Sequence, residues 1–286
     1  MSDIDILASR VYLIPPKGIL EKHRDIIIEK LSGKSEYKYV NNIEIPCTRP
    51  IIVELIVDDE CEICPYAIEL LSEIISKCDK ITAKIYNISY VKTPFEVSTT
   101  PTFRVNETVT LGGLPLEPGF LSEIFIEAYI RKHPELENLI SKLKSFADQH
   151  GFKRNPNEIL FKRIIYKLLL NIDKYGYPYC PCRQLQVAPT THEMFNLNKD
   201  KICPCIYAVT DVKTHGKCLC GLFWSNSEVE KYINERIEKY GWIISEINKI
   251  SKDLGELRIK IVSGGSKRYL ESIIRKLEKL YVYLPD

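Results

Sequence analysis

The sequence lacks the features that would place the protein in a membrane or direct it to one. No apolar run reaches eighteen residues, and the most apolar stretch, ILFKRIIYKLLLNI, contains Lys162, Arg163 and Lys167. The first residues, MSDIDILASRVYLIPP, are acidic where a signal peptide needs a basic segment followed by an apolar run. We therefore expect a cytoplasmic protein with no membrane partner.

The sequence also lacks a strong charge of one sign. Its formal net charge is +2 over 286 residues, which gives no support for a nucleic-acid partner. The charge is unevenly distributed, however. Residues 139–224 contain thirteen Lys or Arg against six Asp or Glu, so this part is basic and the remainder is acidic. A basic surface favours docking of an acidic protein, although a solvated lysine-rich surface explains the same count equally well.

Cysteine is abundant, with ten residues in the chain. In a reducing compartment, clustered cysteines indicate a metal site or catalysis rather than a disulfide framework. Six of the ten form three pairs whose members are one residue apart, and the first two pairs enclose a proline: Cys180 and Cys182, Cys203 and Cys205, Cys218 and Cys220. Cys47 and Cys78 have no partner at motif spacing and are expected to be small buried apolar residues.

Hydrophobic periodicity divides the chain into three parts. Residues 1–133 alternate strand and helix patterns in the order βαβαββα, which predicts an α/β sheet with helices on its faces. Residues 134–226 contain the three cysteine pairs and a helix over about 157–174. Residues 227–286 begin with a helical pattern and continue with ELRIKIV and SGGSKRYLESIIRKLEKL, which we read as a strand, a glycine turn and a helix.

The sequence CEICPYA places Cys61 and Cys64 after a predicted strand, at the start of a predicted helix. A thiol at a helix N-terminus is stabilised as thiolate by the unpaired N–H groups there. This stretch resembles the glutaredoxin-like units of archaeal protein disulfide oxidoreductases, and Thr100-Pro101 stands where thioredoxin and glutaredoxin families carry a cis-proline. The resemblance implies a thioredoxin-like fold, with Cys61 as nucleophile, Cys64 as resolving thiol and Pro101 as the cis-proline.

The other six cysteines do not fit a structural zinc site well. Zinc sites take four ligands, usually from pairs whose two cysteines have two to four residues between them. Here only one residue lies between the two cysteines of each pair. Four thiolates would satisfy an iron–sulfur cluster and leave two thiols free. Two thiols beside a cluster are what a disulfide reductase driven by that cluster needs.

Residues 139–224 resemble the catalytic chain of ferredoxin:thioredoxin reductase, through NPNE, KYGYPYCPCR, ICPC and the last cysteine pair. The resemblance implies a mostly helical iron–sulfur domain. It also implies a 4Fe–4S cluster held by the four cysteines Cys180, Cys203, Cys205 and Cys218. Cys182 and Cys220 would form the redox-active disulfide, with Cys182 as the exposed attacking thiol and Cys220 against the cluster.

Two features depart from that family. Leu219 stands where the family has histidine between the last two cysteines, and two of the intervals between cysteine pairs are longer, with Gly221 inserted near the last pair. The missing imidazole puts proton delivery in doubt, because histidine is the side chain suited to exchanging protons near neutral pH. His215 and His192 are the candidate replacements, weighed against ordinary surface roles.

The three parts together predict a fused disulfide reductase. We expect electrons from ferredoxin or a similar one-electron donor to reach Cys182–Cys220, and then Cys61–Cys64 or a thioredoxin-like or other disulfide protein. The exchange between the two sites would run within a chain or across a homodimer. Two alternatives stay open: the two redox sites serve separate partners, or a zinc-binding interaction module is fused to a thioredoxin-like domain.

The last part, 227–286, is predicted to be a small α/β extension. Its VSGGSKR stretch resembles a phosphate-binding turn, but a lone glycine pair favours an ordinary strand-to-helix turn or a dimerisation element more strongly.

Overall fold

A computed structural model describes residues 9–32, 42–115 and 117–262. The first part of the chain alternates strands and helices. Its elements are β1 (Val11–Ile14), α1 (Ile19–Leu31), β2 (Ile51–Val57), α2 (Cys64–Lys77), β3 (Ile81–Asn87), β4 (Thr102–Val105), β5 (Val109–Gly112) and α3 (Pro118–Lys132). The predicted order βαβαββα is confirmed, although Gly33, predicted to close α1, lies outside the described residues.

The five strands form one mixed sheet in the order β1-β3-β2-β4-β5. The central strand β2 runs parallel to β3 and antiparallel to β4, and β4 and β5 form the predicted hairpin. In this register Ile56 lies opposite Thr102, so the chain leaves the end of β2 next to the start of β4. This topology is thioredoxin-like, and it brings Cys61 and Pro101 to the same end of the sheet.

Helix α3 contributes to two hydrophobic cores. Leu121 and Phe125 pack into the core that α1 and α2 form over the sheet. Tyr129 and Ile130 pack into a second core, together with Leu168 and others from the helical part of the chain. The predicted domain boundary at residue 133 falls in the short turn after α3, but α3 belongs to both sides of it.

The second part is mostly helical. It contains α4 (Leu136–His150), β6 (Lys153–Arg154), α5 (Glu158–Tyr175), α6 (Thr191–Asn198), a 3₁₀ turn (Lys199–Lys201), α7 (Ala208–His215), β7 (Phe223–Trp224) and α8 (Asn226–Val262). Helix α5 has the bounds expected from sequence. Asn157 caps its first turn through a hydrogen bond from the Leu160 N–H, and Gly176 ends it with a left-handed backbone.

The C-terminal prediction is wrong where it can be compared. ELRIKIV was expected to be a strand, but α8 continues through Val262 as one helix. Extending a formed helix by a residue adds a hydrogen bond without a new nucleation cost, so the helix begun at Asn226 overrides the local strand-like alternation. The SGGSKR turn and the final predicted helix lie outside the described residues.

A buried carboxylate joins the two parts. Asp173 of α5 accepts hydrogen bonds from Thr48 Oγ1 at 2.7 Å and Tyr129 OH at 2.6 Å, and its other oxygen pairs with Arg49 Nε at 2.7 Å. That second oxygen also lies 3.2 Å from Nε2 of His133. These contacts come from the loop before β2, from α3 and from the turn after it. The relative placement of the two parts is therefore fixed by a specific polar network.

Within the described residues, no helix combines the length and the apolar character needed to cross a bilayer.

Candidate redox site

Cys61 and Cys64 form a disulfide at the junction between β2 and α2, with Cα atoms 5.4 Å apart. Cys64 is fully buried, whereas Cys61 is partly accessible. The Thr100–Pro101 peptide bond is cis, and the register of β4 on β2 places it beside this junction. An incoming thiolate can therefore reach the sulfur of Cys61 but not that of Cys64.

The loop that presents this disulfide is held by Asp59. Its carboxylate accepts hydrogen bonds from the Ile19 N–H, from Asn87 Nδ2 and from Tyr90 OH, which together lower the pKa of the carboxyl group. Gly18 precedes Ile19 with a φ of 63°, and a Cβ there would meet the carboxylate of Asp59 at 2.3 Å. The N-terminus of α1 and the redox loop thus share one anchor.

A second disulfide was not expected. Cys47 and Cys78 are 31 residues apart in sequence, and they are joined where the loop before β2 meets the end of α2. The prediction that both are small buried apolar residues is therefore wrong, because the two form a disulfide. Cys78 is nevertheless buried. Neither residue lies in a motif, so no sequence signal indicated the bond.

The remaining six cysteines are free thiols, and they converge in the second part of the chain. The sulfurs of Cys180, Cys182 and Cys220 all lie within 4.8 Å of one another. Burial raises the pKa of Cys203, and the charges of Cys180, Cys205 and Cys218 raise it further, so these four sulfurs share one electrostatic environment. Chain segments far apart in sequence thus bring six thiols together.

The two Cys-Pro-Cys loops are held side by side through their backbones. Cys180 N–H donates to Lys201 O and Cys203 N–H donates to Pro178 O, each at 2.8 Å, around an antiparallel bridge between Tyr179 and Ile202. The peptide bond between Cys203 and Pro204 is cis. This pairing holds the first loop, which follows α5, beside the second loop, which follows the 3₁₀ turn.

The third pair lies in a tight turn fixed by the NPNE stretch. Buried Asn155 donates from Nδ2 to Gly221 O at 2.8 Å, and the Phe223 N–H points at Cys218 Sγ at 3.2 Å. Gly221 adopts a φ of 76°, a conformation that favours glycine. The inserted glycine therefore has a backbone role.

Burial divides the six thiols into two groups. Cys180, Cys203, Cys205 and Cys218 are each at most 6% exposed. Cys182 and Cys220 are only partly buried, and both line a cavity of about 430 Å³ that opens beside α5. Hydrogen bonds from Cys180 and then Cys220, with nearby Arg183, lower the pKa of Cys182 to about 4. Hydrogen bonds with Cys180, Cys182 and Cys218, together with burial, raise the pKa of Cys220.

Asp211 of α7 links the two loops that carry these accessible thiols. Its carboxylate oxygen Oδ2 pairs with Arg183 Nη2 at 2.6 Å and accepts a hydrogen bond from the Leu219 N–H at 3.2 Å. Arg183 follows Cys182, and Leu219 precedes Cys220. Sequence reasoning missed Asp211, because nothing in its local pattern distinguishes it from a surface helix residue.

The histidines proposed as proton donors lie on the surface. His192 and His215 are exposed, and neither lines the cavity beside Cys182 and Cys220. The Leu219 side chain lines the cavity and is 61% exposed. Proton delivery by either histidine stays a prediction.

A thioredoxin-like fold with a redox disulfide, beside a second site rich in thiols, defines a protein of thiol–disulfide chemistry. Residues 131–241 match the family model described as ferredoxin thioredoxin reductase catalytic beta chain. This match confirms the resemblance seen in the sequence of this part of the chain. Family and fold together support a disulfide reductase.

Comparison with solved structures gives a weaker likeness. The chain is 14% identical to the NTD_N/C domain of alkylhydroperoxide reductase AhpF from Enterococcus faecalis, with a TM-score of 0.31. The likeness covers 38% of this chain and 55% of that one. No curated protein matches the chain. The assignment of the thioredoxin-like fold therefore rests on the strand order and register.

Proposed function

We propose that the protein is an iron–sulfur disulfide reductase. A 4Fe–4S cluster held by its buried thiols would supply single electrons, taken from ferredoxin or a similar carrier, to the Cys182–Cys220 disulfide. Thiol exchange then reduces Cys61–Cys64 or a thioredoxin-like protein. The observation that carries this proposal is the convergence of six thiols, four buried and two partly accessible beside a cavity, inside the segment that matches the reductase family.

The donor set fits an iron–sulfur cluster. Thiolate sulfur is the usual ligand of such clusters, and four thiols are buried together here. The compact group that includes Cys180 contains only sulfur ligands among the described residues, without carboxylate or imidazole. Cys180, Cys203, Cys205 and Cys218 would hold the cluster. When bound, it supplies electrons one at a time to a disulfide that needs two.

The accessible thiols carry out the exchange. Cys182 as thiolate attacks one sulfur of the target disulfide, a Cys182–target bond forms, and the target's S–S bond breaks to release a thiolate. Cys220 then attacks Cys182, which releases the second target thiol and restores the Cys182–Cys220 disulfide. Asp211 supports both steps because it ties Arg183 and Leu219, and so the two loops, to one carboxylate.

The driving force is sufficient for this direction. Plant-type ferredoxins have potentials near about −400 mV, against about −270 mV for thioredoxin. For two electrons this gap corresponds to about 6 kcal/mol. The family's electron source can therefore reduce a thioredoxin-like disulfide without further energy input.

The decisive experiment measures iron, acid-labile sulfide and zinc per chain on protein purified without oxygen. We expect about four irons and four sulfides, with little zinc. Zinc near one per chain, with no labile sulfide after attempted reconstitution, would establish a zinc module and reject the reductase. A Cys61→Ser/Cys64→Ser variant that still reduces free thioredoxin at the full rate would instead indicate two sites serving separate partners.

A further inference from the structure

The cavity beside Cys182 and Cys220 is a basic surface. Arg163, Lys167 and Lys217 line it, and none of its described lining residues is acidic. Arg163 already pairs with Glu44 and Glu123, but Lys167 and Lys217 are exposed and form no ion pair within the described part of the chain. The exposed side chains of Leu160 and Leu219 add apolar surface at the same place. An acidic partner with apolar contacts would complement it.

The loop around Cys61 has the opposite character. The residues 58–62 read Asp-Asp-Glu-Cys-Glu, and Glu60 and Glu62 are exposed beside the reactive sulfur. Ile63 is 44% exposed and Tyr66 is 60% exposed, which supplies an apolar contact next to the acidic one. The two redox sites of this chain are thus complementary in charge and in polarity.

The two surfaces share no polar contact within the described part of one chain. In the described ranges, no hydrogen bond or ion pair joins residues 58–66 to the cavity lining. Both surfaces are anchored to the rest of the fold. The loop is anchored through Asp59 to α1, β3 and Tyr90, while α3 packs into both cores and Asp173 fixes the interface.

We propose that the acidic loop of a second copy of this chain docks on the basic cavity, so that thiol exchange runs between copies. The inference rests on the proposed function. Cys182 of one copy attacks Cys61 of the other, because Cys61 is the accessible sulfur, and Cys64 leaves as thiolate. Cys220 then attacks Cys182 and releases Cys61. Two electrons pass to the Cys61–Cys64 pair, whose thiolates take protons from solvent.

A trapping experiment tests the geometry. One full-length chain carries both Cys64→Ser and Cys220→Ser, which removes both resolving thiols, and is treated with diamide without oxygen after purification with its iron. We expect a covalent dimer on a non-reducing gel, with a Cys61–Cys182 peptide identified by mass spectrometry. The same peptide in a monomer, a dimer joined through other cysteines, or no cross-link would each overturn the proposal.

Charge reversal tests the recognition. Lys167→Glu/Lys217→Glu should lower the rate of cross-linking about tenfold or more at low salt, since two attractive charges become repulsive. Adding Glu60→Lys/Glu62→Lys should restore most of it. The matched control, Lys142→Glu/Lys213→Glu, makes the same change in net charge at exposed positions outside the cavity and should leave the rate unchanged. An equal loss in the control would contradict docking at this cavity.

A complementation experiment separates this inference from the proposed function. Dithionite-reduced wild-type protein is alkylated, and the state of Cys61 and Cys64 is read by mass. If the pair stays oxidised in the wild type, the part of the proposed function in which the Cys182–Cys220 site reduces Cys61–Cys64 fails. If it is reduced there, a Cys182→Ser chain mixed with a Cys61→Ser/Cys64→Ser chain should also show reduction of the intact pair. Reduction in the wild type alone would reject exchange between copies.

Discussion

The two cysteine sites of this protein are built in different ways. Cys61 and Cys64 lie three residues apart at a strand–helix junction, and the regular sheet sets their geometry. The six free cysteines come from three loops, which are held by scattered backbone bonds and by single side chains such as Asn155 and Asp211. The geometry of the first site is set by the sheet and helix of its fold. The geometry of the second site is set by a few contacts and by the group that its thiols would hold. The predictions below test that difference.

The largest effect is expected from Cys203→Ser, which removes one of the buried thiols. Without its fourth ligand the cluster should be lost, so iron per chain should fall from about four to near zero. Amide exchange in residues 178–224 should rise, while the Cys61–Cys64 disulfide remains. Cys182→Ser is the control and should keep its iron. Retention of iron in Cys203→Ser would show that the ligand assignment is wrong.

The next effect concerns the disulfide between Cys47 and Cys78. Cys47→Ser/Cys78→Ser should lower the free energy of unfolding by about 3–4 kcal/mol, because the bond closes a long loop in the unfolded chain. Urea titration of the oxidised protein measures this loss. The Cys61–Cys64 disulfide closes a much shorter loop. Its removal in Cys61→Ser/Cys64→Ser should lower the free energy of unfolding by only about 2 kcal/mol. Equal losses would mean that loop closure does not explain the stabilisation.

Asp211→Asn should have a moderate effect. The amide keeps an acceptor for the Leu219 N–H but loses the ion pair with Arg183, which is worth about 1–2 kcal/mol. We expect slower closure of the Cys182–Cys220 disulfide, measured by quenched alkylation, with iron content unchanged. Asp148→Asn makes the same charge change at an exposed position of α4 and should close the disulfide at the normal rate. Equal closure rates in both variants would remove Asp211 from the site.

The smallest effect is a pH dependence at the interface between the two parts. Burial lowers the pKa of His133 below 6.5, against the attraction of Asp173, and its Nδ1 accepts the Glu135 N–H, which requires a neutral ring. Below pH 6.5 the unfolded chain binds a proton that the folded chain resists, so stability should fall as pH decreases toward the folded pKa. His133→Gln should flatten this slope in denaturation midpoints. The pKa of Asp173 is itself lowered, so its contribution is lost only at more acidic pH.

Much of the first part could be predicted from sequence because its signals are local. Alternation marks β3, and the run IIVELIV, which begins directly after Pro50, marks β2. The bond between Cys47 and Cys78 could not be predicted, because it depends on a tertiary contact between a loop and a helix end. The network around Asp173 has the same origin.

The second part could be predicted mainly through its family resemblance. The spacing of the cysteines suggested an iron–sulfur site, but the roles of Asn155 and Asp211 appear only when distant loops meet. The C-terminal strand prediction failed because local alternation was outweighed by the continuation of α8. The residue roles within the six thiols remain predictions for the experiments above.

Helix α3 has a consequence for dividing the molecule. A chain shortened to end at residue 133 would leave Ile126, Tyr129 and Ile130 facing water, although all three are buried in the full protein. Such a fragment should aggregate or bind detergent, even though its sheet is complete. A chain that starts at residue 134 would lack the same side chains from its core. The two parts should therefore unfold as one cooperative unit. A protein that contained only one of them would need different residues along α3.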